Sequence, residues 1–168
     1  APGGTVNGTE LTSAGTKLEE VGVITISPDG IASAQTVALA DLQDADQAVA
    51  DRAAAIQKEI DDEYGTVFAK TEVELDGESD HVRSRETNLG NLVADALAWG
   101  AREAGEPVDA AVINGGSIRA SIPKGGITKK MIRTVLPFGN TLSIVKITGA
   151  ELLEALEAST YCTPSPMG

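Results

Sequence analysis

A short apolar run at residues 108–113 (VDAAVI) feeds without a break into Asn114-Gly115-Gly116-Ser117-Ile118-Arg119. With only Asp109 interrupting it, the run predicts a strand buried on both faces of a sheet. The segment after such a strand emerges at the strand's carboxyl end, where open α/β sheets bind ligands. The glycine pair lets backbone N–H groups approach an acceptor closely and tolerates positive φ. Asn114 offers donors and an acceptor, suited to a base edge or a ribose. Arg119 offers a planar fork suited to phosphate or vicinal oxygens. Alone, the segment is equally compatible with a glycine turn carrying a surface arginine.

The flanking sequence predicts the rest of the scaffold. Residues 21–27 (VGVITIS), Pro28-Asp29-Gly30 and residues 31–39 read as strand, tight turn, strand, because Pro presets the first turn dihedral and Gly accepts the positive φ. The 1–16 stretch is Gly/Thr-rich and is expected to be loosely ordered at its start. Residues 44–64 place Val49, Ala53, Ile56 and Ile60 at helical spacing, with Gly65 as the stop. Residues 66–75 are expected to be a strand. Residues 86–104 form a helix with Leu89, Leu92, Val93, Ala96 and Leu97 as its packed stripe. Thr128 caps a short helix reaching Leu136, residues 140–147 form another strand, and Thr148-Gly-Ala-Glu151 is a capping box opening a helix over 149–158. The order from Thr66 onward is thus β-α-β-α-β-α. It predicts an α/β fold (α+β layered), a sheet with flanking helices that is incomplete at its C-terminal side.

Composition narrows the function. With 13 Lys+Arg against 25 Asp+Glu, the formal net charge is −12, which excludes a general nucleic-acid binder needing a basic footprint. A small anionic ligand remains compatible, because local arginines override a negative global field. The single cysteine, Cys162, excludes an intramolecular disulfide and a Cys-based metal cluster. No apolar run is long enough for a membrane span, and no signal-peptide pattern opens the chain. The start at Ala1, in a Gly/Thr/Asn-rich stretch, suggests a processed or cut piece of something longer.

Aromatic residues make up only 3% of the chain, so Phe138, in Leu136-Pro-Phe-Gly-Asn140, stands out. Held between Pro137 and Gly139, its ring is placed either to stack on a nucleobase, for about 1–3 kcal/mol, or to plug the core beneath the loop. Arg83-Ser84-Arg85-Glu86 leads into a helix N-terminus, an end that already favours anions; alternatively Arg85 simply pairs with Glu86. His81 is the lone histidine and is expected to be a surface or loop residue. It has no G-x-S-x-G partner for a catalytic triad, and the chain cannot supply the His and Asp ligands of a di-metal hydrolase. Glu154 and Glu157 read as a solvated helix face.

Four segments in order, 83–96 (RSRETNLGNLVADA), 114–119 (NGGSIR), 126–128 (GIT) leading to 136–140 (LPFGN), and Thr148-Gly149, resemble the C-terminal domain of the 5′-nucleotidase family. That family includes UDP-sugar hydrolases and 2′,3′-cyclic nucleotide phosphodiesterases. The resemblance covers roughly residues 66–159. Residues 15–39 are similar to the last strands of the preceding metallophosphatase domain, and 44–64 to the inter-domain helix. The implied organisation is 1–43 as the end of a metallophosphatase domain, 44–65 as a linker helix and 66–168 as a partial nucleotide-binding domain.

The resemblance implies that Arg83 and Arg119 contact ribose or phosphate oxygens, Asn114 the base and Phe138 one face of it. Asn140 would support the base pocket, while Gly115 and Gly116 let the ligand in. Ser117 stands where the family pattern has a third glycine, which is expected to alter the loop. The chain itself is expected to need no cofactor and to have no catalytic residue; the parent protein would hold two divalent metal ions in another domain. A second aromatic and a ribose-binding Asp are expected on a later segment, beyond Gly168. The expected ligand is a nucleotide or nucleoside, the expected location extracytoplasmic. The unfinished sheet edge is open to strand exchange or dimerisation. The rival expectation is a non-catalytic nucleotide-binding or surface-interaction module, or a purely structural fragment.

Overall fold

A computed structural model describes residues 4–15, 18–30, 32–42 and 45–161. It divides into two compact units, residues 1–56 and 57–168. Cys162 and the 163–168 tail lie outside the described residues, as do the first three residues of the chain.

The first unit contains two antiparallel hairpins. β1 (Gly4–Val6) pairs with β2 (Thr9–Leu11). They turn through Asn7 (φ 50°) and Gly8 (φ 77°), the two positive-φ positions a tight two-residue hairpin demands. β3 (Glu20–Ile26) pairs with β4 (Ala32–Ala38) in an unbroken register from Glu20↔Ala38 to Ile26↔Ala32. The turn expected at Pro28-Asp29-Gly30 is present: Gly30 sits at φ 78° and its N–H donates to the Ser27 carbonyl at 2.9 Å. The expectation of loose order at the start of the chain missed the β1–β2 hairpin, although Asn-Gly is a strong turn signal.

α1 (Gln47–Tyr64) begins at Gln47 rather than at residue 44, because the Asp46 carboxylate accepts from the Val49 N–H at 3.1 Å and so caps the first turn. None of its residues is buried. Its regular stripe of Val49, Ile56 and Ile60 remains exposed. Lys58 and Asp62 pair one turn apart at 2.5 Å.

The second unit carries the core. β5 (Val67–Thr71) pairs antiparallel with β6 (Gly125–Thr128), with a bulge between Val67 and Ala69. Beyond β5, Leu75 and Ile122 exchange backbone hydrogen bonds of 2.8 and 2.9 Å. α2 (Asn88–Glu103), α3 (Lys129–Val135) and α4 (Gly149–Thr160) complete the unit. Leu75, Leu89, Val93, Ile118, Ile122, Ile127 and Val135 form one buried cluster. Leu89, Ile118 and Ile122 are each only 1% exposed, so each contributes about 1.5–3 kcal/mol through removal from water.

Mixed helices and small sheets appear as expected, but three sequence expectations need correction. Residues 108–113 form no ladder, and Val112 is 73% exposed. Residues 140–147 form none either, with Leu142, Ile144, Val145 and Ile147 all exposed. An apolar run becomes a strand only beside a partner edge, and no described segment pairs with either of these. Only Ile113, at the end of its run, packs against the core. On α2 the buried face comprises Leu89, Val93, Ala98 and Ala101, with Leu97 partly covered, whereas Leu92 and Ala96 face out. The buried positions advance from Leu89 by steps of four, five and three, which turns the packed face away from Leu92. β6 has no counterpart among the sequence expectations; a Cβ on Gly126 would lie 2.9 Å from the Val67 side chain, so glycine is what lets the two strands meet.

Candidate functional site

Two loops meet over the core of the second unit. The first, residues 76–87, precedes α2 and carries Arg83. Its final residue, Thr87, is buried and caps α2 by accepting from the Gly90 N–H at 3.0 Å. Asn88 ties the loop's start to the helix, accepting from the Asp76 N–H and donating to the Glu74 carbonyl, both at 2.8 Å. The Asp76 carboxyl is held below its ordinary value chiefly by the Glu78 N–H, and further by His81 and Arg85. His81 Nδ1 lies 2.8 Å from Asp76, and the Arg85 guanidinium 3.7 Å from it. So Arg85 faces Asp76, not Glu86, which accepts from Asn91 at 2.7 Å. His81 is a half-buried loop residue, as expected.

The second loop is 114–121. A single turn of 3-10 helix at Gly115–Ser117 runs into the buried Ile118. Two glycines seat the loops on each other. A Cβ on Gly115 would fall 2.2 Å from the Val82 carbonyl oxygen and 3.3 Å from the Arg83 nitrogen. A Cβ on Gly77 would fall 2.2 Å from the Ala120 carbonyl oxygen and 2.8 Å from the Leu89 side chain. Backbone atoms cannot yield to a methyl at that distance, so both positions require glycine for close packing. Gly115 is buried by this contact, whereas Gly116 is partly exposed. The Gly77 N–H also donates to Ser121 Oγ at 2.9 Å. Gly77 was not singled out from the sequence; an isolated glycine between Asp76 and Glu78 signals a turn but not what packs on it.

The side chains singled out from the sequence are distributed as follows. Arg83 is half-buried and folds back on Ser79, donating to its carbonyl at 3.2 Å and to its hydroxyl. Arg119 donates to the Gly116 carbonyl at 3.4 Å, and its guanidinium centre stands 6.0 Å from the Phe138 ring centre. The Arg119 N–H also donates to the Val135 carbonyl at 2.9 Å, which couples this loop to the end of α3 just before Phe138. Phe138 is 53% exposed. Among the described residues it is not a buried core plug, and the Arg119 cation stands over its ring. Asn114 is exposed, and its Oδ1 accepts from the Ser117 hydroxyl at 2.6 Å. Asn140 is exposed two residues past Phe138, with no hydrogen bond to it among the described residues.

Ser117 occupies the last position of the 3-10 turn, where it is buried. Among the described residues the non-glycine positions with positive φ are Asn7 and Leu18, so position 117 has a backbone that any residue adopts. A cavity of about 370 Å³ lies elsewhere, walled by Asp61, Ser121, Lys130 and Thr134. It shares no residue with the Asn114, Arg119 and Phe138 group. Among the described residues no three His, Cys, Asp or Glu side chains are grouped to hold a metal ion, so the two divalent ions that the resemblance implies find no ligand set there.

The structure thus brings the Arg119 guanidinium to the exposed Phe138 ring, with Asn114 on the turn that leads to Arg119. Comparison with known proteins identifies the family. Residues 67–166 match the family model described as 5′-nucleotidase, C-terminal domain. The chain belongs to the 5′-nucleotidase family.

It is 46% identical over 101 residues to the trifunctional nucleotide phosphoesterase protein YfkN of Bacillus subtilis, covering 60% of this chain and 7% of that protein. Against a 5′-nucleotidase of Vibrio parahaemolyticus the identity is 37% over 131 residues, covering 78% of this chain and 22% of that one. The crystal structure of a 5′-nucleotidase precursor from Thermus thermophilus superposes with a TM-score of 0.69 at 35% identity, over 90% of this chain and 31% of that one. The chain thus spans less than a third of the length of each of these relatives.

Proposed function

We infer that this chain is the nucleotide-recognition portion of a metal-dependent 5′-nucleotidase-like phosphohydrolase. Phosphoester hydrolysis would take place on two divalent ions held by a part of the parent protein outside these residues. The observation that carries the reading is the exposed Phe138 ring with Arg119 beside it and Asn114 on the adjoining turn. The ring stacks on the base and Asn114 meets the base edge. Arg119 and Arg83 supply charge for ribose or phosphate oxygens. Gly116 leaves backbone open beside them, and Asn140 stands at the rim. No membrane-crossing helix occurs among the described residues. An extracytoplasmic site of action is proposed from the family and from the precursor status of the Thermus relative.

The test is nucleoside affinity and phosphate release in the full-length protein. Phe138→Ala is expected to weaken nucleoside binding by about 5- to 100-fold, the worth of one stacked base. Arg119→Ala should weaken nucleotide binding as well. Unchanged affinity in both variants sinks the assignment of this pocket. Affinity lost without any phosphate release by the wild type would instead favour a non-catalytic nucleotide-binding module.

A further inference from the structure

We propose that Lys130 and Arg133 of α3 form an electrostatic latch that holds the last turns of α1, residues 57–64, on the second unit. The boundary between the two compact units falls inside this helix, after Ile56, so the latch fixes the end of the connecting helix that belongs to the second unit. It is independent of whether a nucleoside binds at Phe138.

α1 has little else to hold it. None of its residues is buried, and Ile56 and Ile60 stay exposed, so no packed apolar face secures it. A helix without such a face is marginal in water. Among the described residues, two ionic or ring contacts join residues 57–64 to the rest of the second unit, and both come from α3. The Lys130 ammonium lies 2.6 Å from the Asp61 carboxylate. One turn further along, the Arg133 guanidinium centre stands 4.6 Å from the Tyr64 ring centre. The two cations are spaced i, i+3 on α3 and their two partners i, i+3 on α1, so both contacts use one face of each helix. Lys130, and after it Gln57, hold the Asp61 carboxyl below its ordinary value, as befits a paired carboxylate.

The joint is bridged, not filled. The cavity of about 370 Å³ is walled by Asp61 and Gly65 at the end of α1 and by Thr128, Lys130, Met131 and Thr134 at α3. The side chains of Lys130 and Asp61 are 42% and 51% exposed, so water and salt reach the pair. An exposed ion pair is weak and screened by salt, and an exposed cation–π contact is of similar strength. Such a latch holds the helix at low ionic strength and loosens as salt is added, whereas packed apolar surface would not.

The experiment is native hydrogen exchange of the full chain, followed by mass spectrometry on peptides covering residues 57–64 and on peptides from α2. Lys130→Ala and Arg133→Ala are each expected to speed exchange at 57–64 by about two- to fivefold, and the double variant by about five- to twentyfold. Exchange within α2 should stay constant. In the wild type, raising salt from about 0.05 M to about 1 M should speed exchange at 57–64 relative to α2, and should do so less in Lys130→Ala. Lys129→Ala, one residue earlier on α3 and without a described contact to α1, should leave 57–64 unchanged. Unaltered exchange at 57–64 in the double variant overturns the latch, as does a wild type insensitive to salt. So does an equal acceleration in α2, which would mark a general loosening of the unit. An effect of Lys129→Ala as large as that of Lys130→Ala overturns it too, because the charge of α3 and not the contact would then be the cause.

Discussion

Residues 114–119 and residues 140–147 make an instructive pair. The first is a glycine-containing turn. The second alternates polar and apolar residues like a strand and is expected to be regular. In the structure the turn is the more firmly held of the two. Residues 114–119 are pinned from below by Ile118, 1% exposed, and from the side by Gly115 against Val82. They are closed on themselves by the two Ser117–Asn114 hydrogen bonds. Residues 140–147 pair with no described strand and leave Val145 72% exposed. Order in this molecule follows burial of a few anchors, and local pattern alone does not secure it.

That contrast can be broken by substitution. The largest effect is expected from Ile118→Ala, which empties the anchor beneath the turn and should cost about 2–5 kcal/mol in urea unfolding of the full chain. A cost below about 1 kcal/mol would mean that the turn is held some other way. Gly115→Ala comes next. Its methyl would meet the Val82 carbonyl oxygen at 2.2 Å, and a destabilisation of about 1–3 kcal/mol is expected from the forced backbone shift. An unaltered urea midpoint would show the seam between the two loops to be softer than its geometry.

Regularity resumes after residues 140–147 at the capping box of α4. The Thr148 hydroxyl accepts from the Glu151 N–H at 3.3 Å, while the Glu151 carboxylate accepts from the Thr148 N–H at 2.7 Å. Thr148→Ala should cost about 0.5–2 kcal/mol. The same box predicts a pH response. The Thr148 N–H, and then its hydroxyl, hold the Glu151 carboxyl below its ordinary value of 4.5. A depressed carboxyl stabilises the folded state fully above its unfolded pKa, and that contribution disappears as pH falls through the lowered folded value. Helix content should therefore drop on acidification from about pH 5 to pH 3, more in wild type than in Glu151→Gln, where the cap does not titrate. Equal losses in the two would remove Glu151 as the cause. The smallest effect is expected from Val145→Thr, within about 0.5 kcal/mol, as for an exposed site with little packing. A loss of about 2 kcal/mol or more there would show residues 140–147 to be buried in the working protein.

Much of this was legible in the chain. Pro28-Asp29-Gly30 announced the β3–β4 hairpin, and Thr128 and Thr148 marked two helix starts through their hydroxyls. Arg119 and Phe138, separated by 18 intervening residues, were singled out together and lie side by side, with 6.0 Å between guanidinium and ring centres. Asn7-Gly8 is equally plain as a turn but lies in the Gly/Thr-rich 1–16 stretch, which was expected to be loosely ordered at its start. Leu92 was assigned to the wrong face of α2, since both Leu92 and Val93 fit an apolar stripe until a neighbour chooses between them.

Elements whose hydrogen bonds close within a few residues, the hairpin turns and helix caps, were determined by the sequence itself. So was the supply of guanidinium, amide and ring that a nucleotide site needs. Only the tertiary structure decided that Gly77 and Gly115 are seams between loops and that Ser117 holds Asn114. It also decided that two strand-like runs have no ladder. Each of these depends on which backbone atom arrives from far along the chain, and excluded volume at 2.2 Å is a property of the packed pair, not of either residue alone.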